Sequence, residues 1–153
     1  MRKSLALTVV LAATLLAGCT QTVALEPAEN AIDPGCAEVV AHAPETVGEL
    51  TRRDTDAQGV LAYGDPTSVI VRCGVEEPGP TAALRCVDTN GINWLRDDTD
   101  APIYVFTTYG RSPATEVIID RDVISPGLAL LDLVSAVGGT EKVGECTTIE
   151  DSL

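Results

Sequence analysis

The chain has few aromatic side chains, few basic residues and a single histidine. Its 153 residues include three tyrosines, one tryptophan, one phenylalanine and one histidine, and they carry 10 basic against 23 acidic side chains. The acidic excess argues against nucleic acid as a partner. We interpret His42 as an exposed residue at the end of a helix rather than a catalytic base, because no nucleophile accompanies it.

The sequence also lacks an apolar run long enough to span a bilayer. The longest such run, residues 5–16, falls short of the roughly 20 residues that a spanning helix needs. This run follows Arg2 and Lys3 and closes in Leu16-Ala17-Gly18-Cys19, a pattern typical of a secretory signal with cysteine at the first mature position. We therefore predict that residues 1–18 are a cleaved lipoprotein signal peptide and that Cys19 carries a diacylglycerol, rather than that the segment is an uncleaved anchor.

Residues 19–33 have neither helical nor alternating periodicity, so we predict a flexible lipidated tether. A coil of this length would hold its ends on the order of 20 Å apart. Beyond residue 18, 8 basic and 23 acidic residues give a net charge of −15, which repels anionic lipid headgroups. We expect the domain to stand off the extracytoplasmic face of the cell membrane, attached to it only through the lipid anchor.

Four cysteines follow the predicted lipidation site, with no close pair of the kind that a zinc site needs. An even number of cysteines in an exported chain predicts two disulfides with three alternative connectivities. We expect Cys73 to pair with Cys86 and Cys36 with Cys146, and the other two connectivities stay open.

Residues 34–150 are long enough for a single domain, and their patterns predict an α+β fold. The expected sheet is mainly antiparallel, with about five strands and with one helix from each end of the chain packed against it. The extended runs cover residues 50–54, 59–63, 69–73, 84–89, 92–96, 103–109 and 114–120.

Each predicted helix begins with a capping residue followed by proline. Asp33-Pro34 opens the first, whose predicted apolar face consists of Ala37, Val40 and Ala41. Ser125-Pro126 opens the second, and its predicted apolar face consists of Leu128, Leu131, Leu133 and Val134.

The dipeptide Asn90-Gly91 predicts a type I′ hairpin turn, because both positions tolerate positive φ. A two-residue turn pairs Thr89 with Ile92 and Val87 with Trp94. Cys86 then faces away from Trp94, toward a neighbouring strand. A second hairpin is expected around residues 110–113.

Two arginines and a tyrosine are the candidates for binding a ligand or partner. Arg111 follows Tyr109 on a predicted turn, and a guanidinium group there, with Arg72, has the chemistry to hold a carboxylate or phosphate. The structural alternative is that each arginine pairs with one of the many acids, and we favour it. The segment Asp98-Thr99-Asp100 resembles part of a calcium-binding loop but lacks the glycine and distal glutamate of an EF-hand. We therefore expect no metal and no other cofactor.

Several motifs resemble those of the actinobacterial lipoprotein family known as domain of unknown function 3515. The resemblance covers roughly residues 36–146 and implies a location and an architecture but no activity. It is carried by Tyr63-Gly64-Asp65-Pro66, Arg72-Cys73-Gly74, Cys86, Trp94, Phe106-Thr107-Thr108-Tyr109-Gly110-Arg111-Ser112-Pro113 and Cys146. Family members often carry tryptophan at the position of Tyr63.

Together these features predict a non-catalytic cell-envelope lipoprotein that binds or assists an envelope protein or a small anionic ligand. Two alternatives stay open. One is an envelope hydrolase that uses paired carboxylates among Asp65, Asp97, Asp98 and Asp100, and the other is a structural spacer.

Overall fold

The structure, a computed structural model, describes residues 21–148. The predicted signal peptide (residues 1–18) and the predicted lipidation site Cys19 lie outside this range. Within it, the elements are α1 (Pro34–Ala41), β1 (Thr46–Val47), β2 (Leu50–Arg53), β3 (Val60–Tyr63), β4 (Val69–Val75), β5 (Arg85–Thr89), β6 (Ile92–Asp97), β7 (Ile103–Thr108), β8 (Arg111–Ser112), β9 (Ala114–Asp120), α2 (Pro126–Val137) and β10 (Glu141–Lys142).

Eight strands form one antiparallel sheet in the order β1-β2-β3-β4-β9-β7-β6-β5, and β8 pairs with β10 in a separate two-stranded sheet. The predicted α+β architecture is confirmed, but the expectation of about five strands is wrong. The edge strand β1 has two residues, too few to leave a periodic pattern in the sequence. The other seven strands coincide with the seven extended runs, all of which belong to this one sheet.

Both helices lie on the same face of the sheet. α2 contacts β1 and β5, which are the two edge strands, as well as the central strand β9, and α1 packs on α2 and β4. The sheet therefore curves around α2. The largest side chains with almost no exposed surface include Tyr63, Trp94 and Phe106, so three of the five aromatic residues are fully buried in the core.

The Asn90-Gly91 hairpin is confirmed in detail. Asn90 and Gly91 adopt φ of 51° and 85°, and Thr89 pairs with Ile92 and Val87 with Trp94. The second predicted hairpin is also present, because β7 pairs with β9 across residues 109–113.

The first helix begins as predicted but buries a different face. Asp33 caps it by accepting a hydrogen bond from the backbone N–H of Gly35 at 2.7 Å. Its buried residues are Cys36 and Val39. Of the predicted face, Val40 is partly buried against the core, whereas Ala37 and Ala41 are exposed. The disulfide between Cys36 and Cys73 holds the Cys36 side of the helix on the sheet.

The second helix also turns a different face to the sheet. Leu133 is buried as predicted, but Leu128 and Leu131 are 46% and 52% exposed. Leucine residues occur on both sides of this helix, so their spacing alone does not identify the buried side. The buried set is Ala129, Leu130, Leu133, Ala136 and Val137.

The predicted disulfide connectivity is wrong. Cys36 bonds to Cys73 with a Cα–Cα distance of 5.4 Å, and Cys86 bonds to Cys146 at 6.5 Å. β9, β7 and β6 separate the strands of Cys73 and Cys86, a distance of about 19 Å along the sheet. A disulfide spans at most about 7 Å between Cα atoms. Cys86 also faces away from the core, whereas Cys73 is fully buried in it.

The N-terminal strap, defined here as residues 21–33, is packed on the domain. Val23 forms a parallel bridge with Thr55, and Ala28 and Ala31 are only 7% and 4% exposed. The prediction of a flexible tether is therefore wrong for the described part of residues 19–33. The strap is held mainly through backbone groups and two alanines, which leave no periodic signal in the sequence.

Candidate functional site

Arg111 supports the end of α2. Its Nη1 donates to the backbone oxygens of Gly138 and Thr140 at 3.1 and 2.8 Å. The pairing of Arg111 with Lys142, between β8 and β10, places it there. Carbonyl groups at a helix C-terminus carry partial negative charge, which a guanidinium group complements. This geometry supports the structural role of Arg111.

Arg72 lies on the face of the sheet opposite the helices, across from Glu116. Its Nη1 donates to Glu116 Oε1 at 3.2 Å, with the two side chains 33% and 21% exposed. Its Nε is buried without a hydrogen-bond partner. Arg72 and Arg111 thus hold separate parts of the fold, and the structure does not bring them together into one anion site.

Tyr109 is the one residue of the predicted trio that lines a sizeable cleft. Its backbone N–H donates to the backbone oxygen of Asn93 at 2.8 Å, and its side chain is half-buried. Next to it, Gly110 has a φ of 68°, and a Cβ there would lie 2.1 Å from the backbone oxygen of Gly144. The close approach of this turn to the backbone of Gly144 therefore requires glycine at position 110.

The disulfide cleft lies between the loop before β5 and the C-terminal tail. Its volume is about 600 Å³, and the backbone N–H of Cys146 is held by Asn93 Oδ1 at 2.9 Å beside it. This volume is in the range of small-molecule sites. The lining residues are Pro80, Thr81, Ala82, Ala83, Leu84, Arg85, Cys86, Leu95, Tyr109, Cys146, Thr147 and Thr148.

Sequence reasoning missed Arg85 and Leu95 as members of this cleft. Both residues line it, and Leu95, the cross-strand neighbour of Cys86, supplies apolar surface next to the Cys86–Cys146 disulfide. To predict that the C-terminal tail lies over β5 and β6, one would have had to know that Cys86 pairs with Cys146. No signal in the sequence singled out that pairing.

The acids proposed for a hydrolase are engaged separately. Asp65 pairs with Arg53 at 3.1 Å, and Asp98 pairs with Arg96 at 2.6 Å. Backbone and side-chain hydrogen bonds from Thr99 lower the pKa of Asp97. A general acid needs a raised pKa, so the carboxyl group of Asp97 is not suited to that role.

Across residues 21–148, no group of three or more histidine, cysteine or acidic residues is placed to hold a metal ion. His42 lies just after α1, where its Nδ1 is 2.9 Å from the backbone oxygen of Glu38. Its exposed position agrees with the interpretation of a helix-end residue.

Two further cavities flank β2, where Arg52 and Arg53 lie on opposite sides of the strand. One, of about 480 Å³, lies beside α1, and the other, of about 530 Å³, is lined by residues 49–54 with Gly64 and Asp65. Arg53 donates to the Gln21 oxygen at 2.8 Å. The strap thus begins at the rim of the second cavity.

A family model described as "Protein of unknown function (DUF3515)" matches residues 4–144. The chain belongs to this DUF3515 family. The matched range includes Cys73 and Cys86, which are the sheet cysteines of the two disulfides, as well as the Tyr109–Arg111 turn and the strap. Comparison with curated proteins and with solved structures gave no match.

Within the described range, no helix is long and apolar enough to cross a membrane. The structure thus gives this member of the DUF3515 family a defined fold and a disulfide cleft beside Tyr109. It brings no assigned chemistry.

Proposed function

We propose that the protein is a non-catalytic lipoprotein of the cell envelope, anchored through Cys19 to the outer face of the cytoplasmic membrane, where its domain binds or assists another envelope component. The observation that carries the proposal is the combination of Leu16-Ala17-Gly18-Cys19 with two disulfides in the domain. Disulfides persist in oxidising compartments outside the cytoplasm. A diacyl anchor holds a protein stably, whereas one acyl chain does so only marginally.

Metabolic labelling with a clickable fatty acid tests the anchor. The protein should take up the label, and Cys19→Ser should abolish it, because the thiol is the proposed acceptor. Thr20→Ser is the matched control and should keep the label. Continued labelling of Cys19→Ser would refute the anchor.

The disulfide cleft is the favoured binding region. It combines apolar surface with Tyr109 and threonine side chains, a mixture that suits a small ligand or a side chain of an envelope protein. The presence of a lined cleft favours a binding module over a pure spacer. The engagement of Asp65, Asp97 and Asp98 in separate contacts gives the hydrolase alternative no support.

Site-specific photocrosslinking in intact cells tests the binding region. A photoreactive residue in place of Tyr109 should give a discrete crosslinked product, and Arg85→Ala in the same background should weaken it. The same residue at exposed Asp122 is the control and should give none. Equal products from the two positions would contradict a binding role for the cleft.

A further inference from the structure

The N-terminal strap is bound to the sheet almost from its first described residue. The Val23 N–H donates to the Asp54 oxygen at 2.9 Å, and the Asp56 N–H donates back to the Val23 oxygen at 3.3 Å. The Leu25 N–H donates to Asp56 Oδ1 at 2.9 Å. These bonds hold the strap on the loop that follows β2.

The far end of the strap is held equally closely. The Asn30 N–H donates to the Gly74 oxygen at 2.9 Å. A Cβ on Gly74 would lie 2.3 Å from the Asn30 carbonyl carbon, so the two backbones touch. With Ala28 and Ala31 buried, little of the strap is left to act as a spacer.

The consequence is a short distance between the proposed anchor and the fold. Gln21 lies two positions after Cys19, and a fully extended chain covers at most about 7 Å over that interval. A free coil over the whole of residues 19–33 would have allowed on the order of 20 Å. Gln21 is itself fixed, because its backbone oxygen accepts from Arg53 Nη2 at 2.8 Å.

We propose that the domain rests directly on the phospholipid headgroup layer, with the β2 rim facing it. The β2 rim is defined as Glu49–Asp54 with Gly64 and Asp65. This inference rests on the proposed anchoring at Cys19. It replaces the expectation of a domain that stands off the membrane.

The chemistry of the rim suits a headgroup layer better than the hydrocarbon interior. It carries two arginines and three acids, and Asp65 in the ion pair with Arg53 is 84% exposed. Such a mixed set matches the paired charges of zwitterionic headgroups. The net charge of −15 on residues 19–153 opposes closer approach to anionic lipids.

The disulfide cleft is separate from the rim. β2 and β5 are six strand spacings apart in the sheet order, about 29 Å measured along the curved sheet. The cleft adjoins β5 and shares no residue with the rim, so an envelope partner can reach it while the rim lies on the membrane.

Headgroup quenching tests the orientation. The lipidated protein is reconstituted in phosphatidylcholine vesicles that contain a headgroup nitroxide, with a fluorophore on Thr51→Cys or on Ala83→Cys. Thr51 is an exposed rim residue and Ala83 is an exposed residue just before β5. The Thr51 probe should be quenched at least several-fold more strongly than the Ala83 probe, and equal quenching would overturn the inference.

A lengthened chain is the matched control. Inserting about twelve glycine and serine residues between Thr20 and Gln21 adds a coil of roughly 20 Å. Quenching of the Thr51 probe should then fall to the level of the Ala83 probe. If it stays high, the short connection is not what holds the rim on the membrane, and the inference is wrong.

Intact mass and vesicle flotation separate the two proposals. A protein that carries acyl chains and floats, yet shows equal quenching at both positions, overturns only the orientation. A protein that carries no acyl chains and does not float refutes the anchoring and, with it, the orientation.

Discussion

Single glycines hold separate parts of this chain in backbone contact. Gly74 meets the strap and Gly110 meets the C-terminal tail, both with positive φ. At these two positions a side chain would be strained and would also collide with backbone. They explain how residues remote in sequence can pack without large side chains between them.

Gly110→Ala should be far more damaging than Gly91→Ala. Both positions have positive φ, which costs about 1 to 2 kcal/mol with a side chain, but a Cβ on Gly91 meets nothing within 4 Å whereas one on Gly110 meets Gly144. We expect Gly110→Ala to lower the free energy of unfolding by about 3 kcal/mol or more. Urea unfolding of both variants checks this, and equal losses would contradict it.

Tyr63 should ionise well above the ordinary range of a tyrosine. Burial raises its pKa to about 12, while Arg52 lowers it and Glu45 raises it by smaller amounts. An unfolded tyrosine ionises near pH 10, so the stability that Tyr63 contributes is complete below pH 10 and is lost as the pH rises through about 12. The total is about 2 to 3 kcal/mol.

Ultraviolet absorbance titration of the folded protein checks the Tyr63 prediction. The step with the highest pKa should vanish in Tyr63→Phe and persist in Tyr109→Phe. If Tyr63→Phe leaves the high-pH end of the titration unchanged while the fold is intact, the prediction is wrong.

At the scale of elements, α2 depends on groups outside the helix for its C-terminal end. Arg111→Ala removes the two hydrogen bonds that the guanidinium group donates to the backbone oxygens of Gly138 and Thr140. We expect a loss of about 1.5 to 3 kcal/mol and a smaller loss for Arg111→Lys, which keeps the charge. Thermal unfolding measures both. Unchanged stability in Arg111→Ala would instead favour a ligand-binding role.

The two disulfides should differ in how easily they are reduced. Cys36 and Cys73 are 1% and 0% exposed and join α1 to the core, whereas Cys146 is half-buried on the tail. Limited reduction followed by alkylation and mass spectrometry should modify Cys86 and Cys146 first. Earlier modification of Cys36 and Cys73 would contradict this order.

Both disulfides should stabilise the fold substantially. Their loops of 37 and 60 residues correspond to about 4 kcal/mol each in the chain-entropy model. The first ties the N-terminal helix to the sheet, and the second ties the tail over the cleft. Each therefore fixes a segment that has little core of its own.

On the scale of the whole molecule, excess negative charge opposes folding. The chain has 23 acidic and 10 basic residues, so at least 13 acids cannot each have a basic partner of their own. Raising sodium chloride from about 10 mM to about 300 mM shortens the Debye length from about 30 Å to about 6 Å. We expect the melting temperature to rise by about 3 to 5 °C, measured by calorimetry. A fall would mean that ion pairs outweigh the repulsion.

Local signals predicted the elements that are built from neighbouring residues. Asn90-Gly91 specified its turn and register, and Asp33-Pro34 specified the start of α1, because the responsible groups lie within a few residues of one another. The buried side of α2 was not predictable in this way. Leu128 and Leu131 have the same local chemistry as Leu130 and Leu133, and only the neighbouring strands distinguish them.

The sequence by itself determined the oxidised, acidic character of the domain, its mixed α and β composition and its hairpins, since each depends on residue type or short spacing. The tertiary structure alone decided the disulfide partners, the placement of the strap, the roles of Arg72 and Arg111 and the cleft beside Tyr109. Each of these depends on which strands become neighbours. That order is a property of the whole sheet and is encoded in no single stretch of the chain.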